Sequence, residues 1–453
     1  MPRKRALGPL DQRRKVIRCE ACAARKTRCA GGYPCEACIR TGKTCRKQSS
    51  GFSKAVFVLY KETEGTLMPA QVMANNETIF VDCFFAFLGR NHFVYHTEVL
   101  IEVLLPLVNK STLLSAVISA IGALDASRHG SCSTYTKNGN PRALAYKSYA
   151  SSIESLKTEL LGSEVSRRDD VLWATFFLGL FELMVDSSGD GWAKHMLYGT
   201  SQLLQAAGPN QAISHSRKAF LGIFKIFEAN RAILYSEETI LSRLDWTSAY
   251  QMNAHIPLHD WDSLGPISSI MVQISTFNNR FFNYIPKVAS FDIRDPILDH
   301  LGFEAFGIQR DLFELHGQIT NSSLGDPRNL HFRQALPYYH ATLLFLFNTF
   351  DYYGCWNLDY SPYLSRDDIG QHVDQILHQA GILLNSHGES GILLIFPLRV
   401  AGTRAETDDQ RSAVLVLLDC IFKRGFIVVN RIKDDLHQFW DWKDRSGTFP
   451  GGL

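Results

Sequence analysis

Apolar residues recur at helical spacing through most of the chain after about residue 77. Ser111 stands where an N-cap residue would, and the apolar positions after it share one helix face. This stripe comprises Leu113, Leu114, Val117, Ile118, Ile121 and Leu124. A second amphipathic stripe comprises Tyr146, Tyr149, Ile153, Leu156 and Leu160. The alternation that is typical of β-strands is hardly indicated anywhere, so the pattern predicts an all-α region.

The most apolar stretch covers residues 171–185. Asp169 and Asp170 precede it, and acids are favoured at a helix N-terminus. The stretch has 15 residues and contains the carboxylate Glu182, whereas a bilayer span needs about 20 apolar residues. We therefore expect a buried helix and no membrane partner.

Further helices are predicted from the same periodicity. A helix over residues 192–207 is expected to end at Gly208 and Pro209, a common stop signal. The other predicted helical runs cover residues 219–235, 336–350, 373–384 and 413–429.

Acidic and aromatic residues mix near the end of the chain, at residues 434–444. This composition is typical of acidic activation segments, and it also suits a terminal amphipathic helix. Because the preceding run 413–429 reads as one continuous apolar helix, we expect Leu436, Phe439 and Trp440 to dock on the domain.

Composition divides the chain into four parts: a basic N-terminal arm over residues 1–18, a cysteine-rich segment over 19–47, a linker over 48–76 and a helical domain over 77–453. The helical part is long enough for a large core. The linker lacks the a/d spacing of a coiled coil. Dimerisation is therefore not encoded in the linker, and any homodimer would form through the helical domain.

The cysteine-rich segment repeats one C-x2-C-x6-C unit at an offset of 16 residues. The six cysteines are Cys19, Cys22, Cys29, Cys35, Cys38 and Cys45. Each unit offers three soft ligands to a tetrahedral ion such as Zn²⁺, one fewer than a closed structural site requires. If Cys19 and Cys35 bridge two metals, both ions become four-coordinate and six cysteines hold two zinc ions.

Charge sets this segment apart from the rest of the chain. Residues 1–47 contain 14 Lys and Arg against three acidic residues, although the whole chain has a net charge of only +2. Two Zn²⁺ ions with six thiolates carry a charge of −2, so the positive charge of the segment far exceeds the amount that would neutralise the cluster. The excess indicates a polyanionic partner, and DNA phosphates fit it.

The segment resembles the fungal zinc binuclear cluster, a DNA-binding module of fungal transcription regulators, over roughly residues 18–47. That family has a basic helix between its second and third cysteines, here residues 23–28, a proline before the fourth, here Pro34, and a second short helix, here residues 36–40. The resemblance implies a nuclear protein with two Zn(II) ions. One would be bound by Cys19, Cys22, Cys29 and Cys35, and the other by Cys19, Cys35, Cys38 and Cys45.

Lys26 matches the family lysine that reads a G-rich triplet, usually CGG. A helix ending at Arg28 could enter the major groove, where Lys and Arg donate to guanine O6 and N7. The predicted DNA-binding residues are Lys26, Arg25, Arg28, Arg18, Arg14 and Lys15. The basic clusters near Arg3 and Arg13 also look like a nuclear import signal or phosphate-binding arms.

Other interpretations of the cysteines are weaker. A disulfide framework needs an oxidising compartment, but residues 1–18 lack the apolar core of a signal peptide. A single zinc finger would use four of the six cysteines and leave two reactive thiols without a metal. A zinc module that binds protein or RNA stays open, because a basic surface does not by itself distinguish polyanions.

The helical region is similar to the fungus-specific regulatory domain that accompanies such clusters. The motif residues are Trp192, His195 and Gly199, followed by Pro397, Ala401 and Gly402. The resemblance implies an all-helical regulatory region. Trp192, His195 and Gly199 share one helix face, and we expect them to pack against another helix rather than to bind a ligand.

No enzyme signature emerges from the chain. Ser390 lies in a Gly-Glu-Ser-Gly segment, but the G-x-S-x-G spacing fails at Ile392. His92 and His96 have metal-like spacing without a further ligand nearby. The other cysteines, expected to be structural thiols, are Cys83, Cys132, Cys355 and Cys420.

The sequence therefore predicts a mainly α protein that is not an enzyme: a small two-zinc cysteine cluster with two short helices, a linker, and a large all-α regulatory domain. The expected function is sequence-specific control of RNA polymerase II transcription in a fungal metabolic or secondary-metabolite pathway. By family habit it would be an activator that binds G-rich double-stranded DNA and the transcription machinery. The alternative is a zinc-organised scaffold protein without base readout.

Overall fold

The computed structural model separates the chain into two compact units, Met1–Pro69 and Ala70–Leu453. The residues it describes are 19, 21–22, 29, 34–42, 44–46, 70–93, 97–129, 140–209, 214–246, 264–285, 295–323, 330–356, 361–385 and 391–446.

Helices account for the regular structure of the described residues in both units. The smaller unit contains α1 (Glu36–Arg40). The larger unit contains α2 (Ala70–Arg90), α3 (Thr97–Val108), α4 (Thr112–His129), α5 (Pro141–Glu159), α6 (Asp169–Val185), α7 (Asp190–Lys194), α8 (Ser201–Ala207), α9 (His215–Tyr235), α10 (Gly265–Tyr284), α11 (Pro296–Ser323), α12 (Leu330–Tyr352), α13 (Arg366–Asn385), α14 (Ile395–Arg404), α15 (Asp408–Lys423) and α16 (Val428–Ser446). No β-strand occurs among the described residues, which confirms the mainly α fold class.

Local signals fix several helix ends as expected. The hydroxyl of Ser111 accepts a hydrogen bond from the N–H of Leu114 at 3.2 Å, so Ser111 caps α4. Helix α6 begins at Asp169, and almost all of its later side chains are buried. Gly208 ends α8 with a φ of 78°, a conformation that glycine adopts without strain. None of the described helices is long and apolar enough to cross a bilayer.

Several helix boundaries and one internal stretch differ from the prediction. The run 413–429 is not one helix, because α15 ends at Lys423 and α16 begins at Val428. Gly425 has a φ of 107° and turns the chain between the two helices. The helix over 192–207 contains one π-helical stretch, His195–Thr200, which apolar periodicity does not indicate. Helix α2 starts at Ala70, inside the segment assigned to the linker.

Helices throughout the larger unit contribute to its core, and an aromatic part of that core lies where α2, α6 and α9 meet. Phe84 on α2 packs edge-on against Phe177 on α6, with ring centres 5.1 Å apart. Trp173 stacks on Phe177 at 5.4 Å and meets Phe220 on α9 at 5.0 Å. Such aromatic pairs contribute about 0.5–1.5 kcal/mol each beyond area burial.

The terminal helix α16 docks on α14, as predicted. Leu436 and Trp440 are buried, and Phe439 is partly buried against the core. The indole N–H of Trp440 donates to the carbonyl of Gly402 at 2.8 Å. A Cβ on Gly402 would lie 2.6 Å from Cδ1 of Leu436, so this glycine permits the close approach.

Candidate metal centre

Each C-x2-C pair is held by a tight turn of backbone. The N–H of Cys22 donates to the carbonyl of Cys19 at 3.1 Å, and the N–H of Cys38 donates to the carbonyl of Cys35 at 2.9 Å. Helix α1 begins directly after Cys35, with Glu36 in its first turn and Arg40 in its last, as the helix dipole favours. This is the second short helix that the sequence predicts.

The turns bring together sulfur atoms from both C-x2-C-x6-C repeats. The Cys35 sulfur lies 3.6 Å from that of Cys19 and 3.6 Å from that of Cys22, and the Cys19 and Cys38 sulfurs are 3.5 Å apart. A disulfide bond is about 2.05 Å long, so these contacts are not disulfides. Five of the cysteines are buried, and Cys45 is half-buried.

The six thiols form two overlapping groups of four. One group is Cys19, Cys22, Cys29 and Cys35, and the other is Cys19, Cys35, Cys38 and Cys45. Within each group all sulfur atoms lie within 4.8 Å of one another. These are the two ligand sets that the resemblance implies, and each can hold a metal ion.

The sulfur spacing fits a tetrahedral thiolate site. A zinc ion with four sulfurs at about 2.3 Å places those sulfurs about 3.8 Å apart, and the closest observed separations are 3.5–3.6 Å. Soft thiolates select ions such as Zn²⁺ over Mg²⁺ or Ca²⁺. Since all separations within each group are below 4.8 Å, the donor set fits a tetrahedral zinc ion after small adjustments of the sulfur positions.

Hydrogen bonds favour ionisation of the two shared thiols. The backbone N–H of Cys38 lowers the pKa of Cys35 below its ordinary value. At Cys19, burial acts to raise the pKa, but the backbone N–H of Cys22 and neighbouring thiols outweigh it, and the pKa is lowered. Burial and the neighbouring thiols raise the pKa of Cys38 instead. Because metals bind thiolates, the lowered pKa favours the metal-binding form at the two shared cysteines.

The predicted DNA-binding residues all lie outside the described residues. They are Lys26, Arg25, Arg28, Arg18, Arg14 and Lys15. Their roles stay predictions, as do those of the basic arm and of the helix expected over residues 23–28.

The motif of Trp192, His195 and Gly199 packs against α6, as expected. A Cβ on Gly199 would lie 2.5 Å from Cγ2 of Thr175, and one on Gly179 would lie 3.2 Å from Cβ of His195. Burial lowers the pKa of His195 to about 4, so its imidazole is neutral near pH 7. The small residues on both sides allow this close contact, and the motif acts in packing.

Other residues considered from the sequence show no active-site geometry where they are described. Burial raises the pKa of Cys355 to about 11, which fits an inert structural thiol. Cys83 and Cys420 are half-buried, whereas Cys132, His96 and Ser390 lie outside the described residues.

Comparison with known proteins adds family evidence. Residues 93–449 match the family described as "Fungal specific transcription factor domain". The chain is also 47% identical over 49 residues to "Thiamine repressible genes regulatory protein thi5" of Schizosaccharomyces pombe (strain 972 / ATCC 24843). That match covers 11% of this chain and 6% of the relative, so this chain spans only a small part of that protein's length. No solved structure matches the chain.

The family match covers most of the larger unit, and the cysteine cluster lies in the smaller one. The cysteine cluster fits a fungal zinc-cluster factor, and the chain therefore belongs to the fungal-specific transcription factor domain family.

Proposed function

We propose that this protein is a nuclear, sequence-specific DNA-binding regulator of RNA polymerase II transcription, and that its cysteine cluster reads CGG-like triplets. The observation that carries the proposal is the pair of overlapping four-sulfur groups. They lie within 47 residues that contain 14 Lys and Arg against three acidic residues. Thiols that can hold metal ions and a strong positive charge occur together in this segment.

Two Zn(II) ions would occupy the two groups, with Cys19 and Cys35 shared between them. The cysteine-rich segment has too few apolar residues to form a hydrophobic core, so the ions would supply its folding free energy. The basic residues would neutralise the cluster and leave an excess for phosphates, which supply most of the affinity of DNA-binding proteins without reading sequence.

Base readout would come from the segment between Cys22 and Cys29. Lys26 would donate to guanine O6 and N7 in the major groove, and Arg25 and Arg28 would divide between bases and phosphates. Arg18, Arg14 and Lys15 would contact the backbone. The larger unit would control output and contact the transcription machinery. It would also hold any homodimer interface, which would fix the spacing of paired half-sites.

By family habit we propose an activator of a fungal metabolic or secondary-metabolite pathway. The S. pombe relative is named as a regulatory protein of thiamine-repressible genes. A zinc-organised scaffold that never reads bases is the competing function, and the first experiment separates the two.

We expect Lys26→Ala to abolish enrichment of CGG-like triplets when the zinc-loaded full-length protein selects from a random DNA library. The loss of one bidentate base contact costs about 1–3 kcal/mol of discrimination, or roughly 5- to 150-fold. Lys43→Ala removes the same charge outside the segment between Cys22 and Cys29 and serves as the matched control. A scaffold would give no enriched sequence from the unmodified protein, although its zinc content would be unchanged.

Affinity for the selected site should fall steeply with salt. Each phosphate that the protein neutralises contributes about −0.9 to the slope of log K against log salt concentration. Five or six contacts from the basic segment would therefore give a slope near −5, measured by fluorescence anisotropy between 50 and 300 mM KCl. A slope between 0 and −1 would contradict phosphate contacts by this segment.

A further inference from the structure

Helix α11 carries apolar side chains on two opposite faces, and the core buries only one of them. The buried face packs on α10 and α12. It comprises Leu298, Leu301, Ala305, Ile308, Leu312, Leu315 and Ile319. Phe303, Phe306 and Phe313 are instead 57%, 36% and 49% exposed. Because an α-helix has about 3.6 residues per turn, these three rings share one face, which lies opposite the buried one.

The three exposed rings form a patch of considerable area. A phenylalanine that is fully covered buries about 150–250 Å², so the exposed fractions of the three side chains together present roughly 300 Å² in each copy of the protein. A single exposed apolar side chain is ordinary on a protein surface, whereas a contiguous patch of this size often marks a contact with another protein. The patch therefore indicates a docking surface on α11.

The polar residue within the patch also fits a protein interface. Arg310 lies on the same face between Phe306 and Phe313, and its side chain is 71% exposed. Its guanidinium lies 3.1 Å from a carboxylate oxygen of Asp311 and 3.8 Å from one of Glu314, so its charge is balanced on its own helix. Aromatic residues and arginine are enriched at interfaces and lysine is depleted, and α11 contains no lysine.

The order of these residues makes the patch complementary to itself. Consider two copies of α11 that pack antiparallel about a two-fold axis midway between Phe306 and Arg310. Phe303 of one copy then faces Phe313 of the second copy, and Phe306 faces Arg310 of the second copy. Their spacing of three, four and three residues is that of a coiled-coil seam. Aromatic pairs are favourable, and so is a guanidinium over an aromatic ring.

We propose that this face of α11 is a homodimer interface, and that the same face of a second copy of this chain covers it. The choice of occupant rests in part on the proposed function, because paired half-sites on DNA require two copies and the linker lacks coiled-coil spacing. A two-fold contact uses each patch once, so association closes at the dimer.

The size of the patch predicts a weak dimer in the absence of DNA. A stable interface buries about 800 Å² on each partner, and the three rings supply roughly 300 Å² of that area. Polar side chains along the 28 residues of α11 would supply the rim. Interfaces at the small end of the range belong to weak complexes, so we expect a micromolar Kd. Two half-sites on one DNA molecule would raise the effective concentration and tighten the dimer.

Phe313→Glu should raise the dimer Kd of the zinc-loaded full-length protein at least about tenfold, because the two-fold axis places each new carboxylate against Phe303 of the other copy without a partner. Sedimentation velocity without DNA measures this constant. Phe422→Glu is the matched control, since Phe422 lies on α15 and is 42% exposed. The control should keep the Kd of the unmodified protein.

A second substitution tests the register. Adding Phe303→Lys to Phe313→Glu should restore the dimer, because each new ammonium group would face the new carboxylate of the other copy. Within one copy the two positions lie about 15 Å apart along the helix and cannot pair. Thermal unfolding of each variant confirms that it is folded.

Two results would overturn the proposal: a monomeric unmodified protein at high micromolar concentration, or equal constants for Phe313→Glu and Phe422→Glu. A double variant that is folded but monomeric would overturn the antiparallel register. Enrichment of a single DNA triplet, on which the proposed function rests, needs only one copy and is measured independently of the dimer.

Discussion

Cys35→Ser should remove both of the zinc ions proposed for the cysteine cluster, rather than one, and abolish the proposed DNA binding. Cys35 belongs to both four-sulfur groups, and its sulfur lies 3.6 Å from those of Cys19 and Cys22. Structural zinc contributes about 10–16 kcal/mol to the folding of comparable small domains, so losing it should unfold the smaller unit. Zinc released by a mercurial reagent should fall from two equivalents to near zero.

Two comparisons make this result specific. Cys45→Ser removes a ligand from one group only, and it should leave the other ion bound. Cys420→Ser replaces a half-buried thiol of the larger unit, and it should keep both ions. The thermal transition of the larger unit should be unchanged in Cys35→Ser. One tightly bound ion retained in Cys35→Ser would show that the shared-ligand arrangement is wrong.

Gly122→Ala should destabilise the larger unit more than most single substitutions. A Cβ at residue 122 on α4 would lie 1.8 Å from the carbonyl oxygen of Phe80 and 3.0 Å from the amide nitrogen of Phe84. Both atoms belong to the backbone of α2, so no side-chain rotation can relieve the clash and the two helices must separate. Overpacking commonly costs about 1–3 kcal/mol, and we expect at least the upper end of that range.

Gly222→Ala is the matched control for this substitution. Gly222 lies in the middle of α9, and a Cβ there would meet no atom within 4 Å. Alanine should therefore stabilise the protein by about 0.5–1 kcal/mol through helix propensity. Urea unfolding followed by tryptophan fluorescence measures both variants. Equal midpoints for the two would contradict the close contact between α2 and α4.

Much of the fold follows from local signals in the sequence. The cap at Ser111, the start of α6 at Asp169 and the stop at Gly208 depend on residues within one or two helical turns. The C-x2-C spacing likewise decides each tight turn of the cysteine cluster, because the two thiols of a pair lie within one turn of backbone. Both kinds of feature are readable from the chain alone.

Other features depend on contacts between distant residues. Sequence periodicity predicts one helix over 413–429, but the backbone of Gly425 has a positive φ and turns the chain there. The π-helical stretch His195–Thr200 lies where Gly199 and Gly179 allow close packing with α6. An apolar stripe shows that a helix is packed, but it does not show against which partner or in which register.

The sequence by itself therefore determined the helical class, the six metal-ligand candidates and the concentration of positive charge near the N-terminus. These are properties of composition and of spacing along the chain. Only the tertiary structure brought Gly122 against the backbone of Phe80 and decided which face of α11 the core buries. The physical reason is that such contacts form between helices far apart in sequence, and the packing of the whole core selects them.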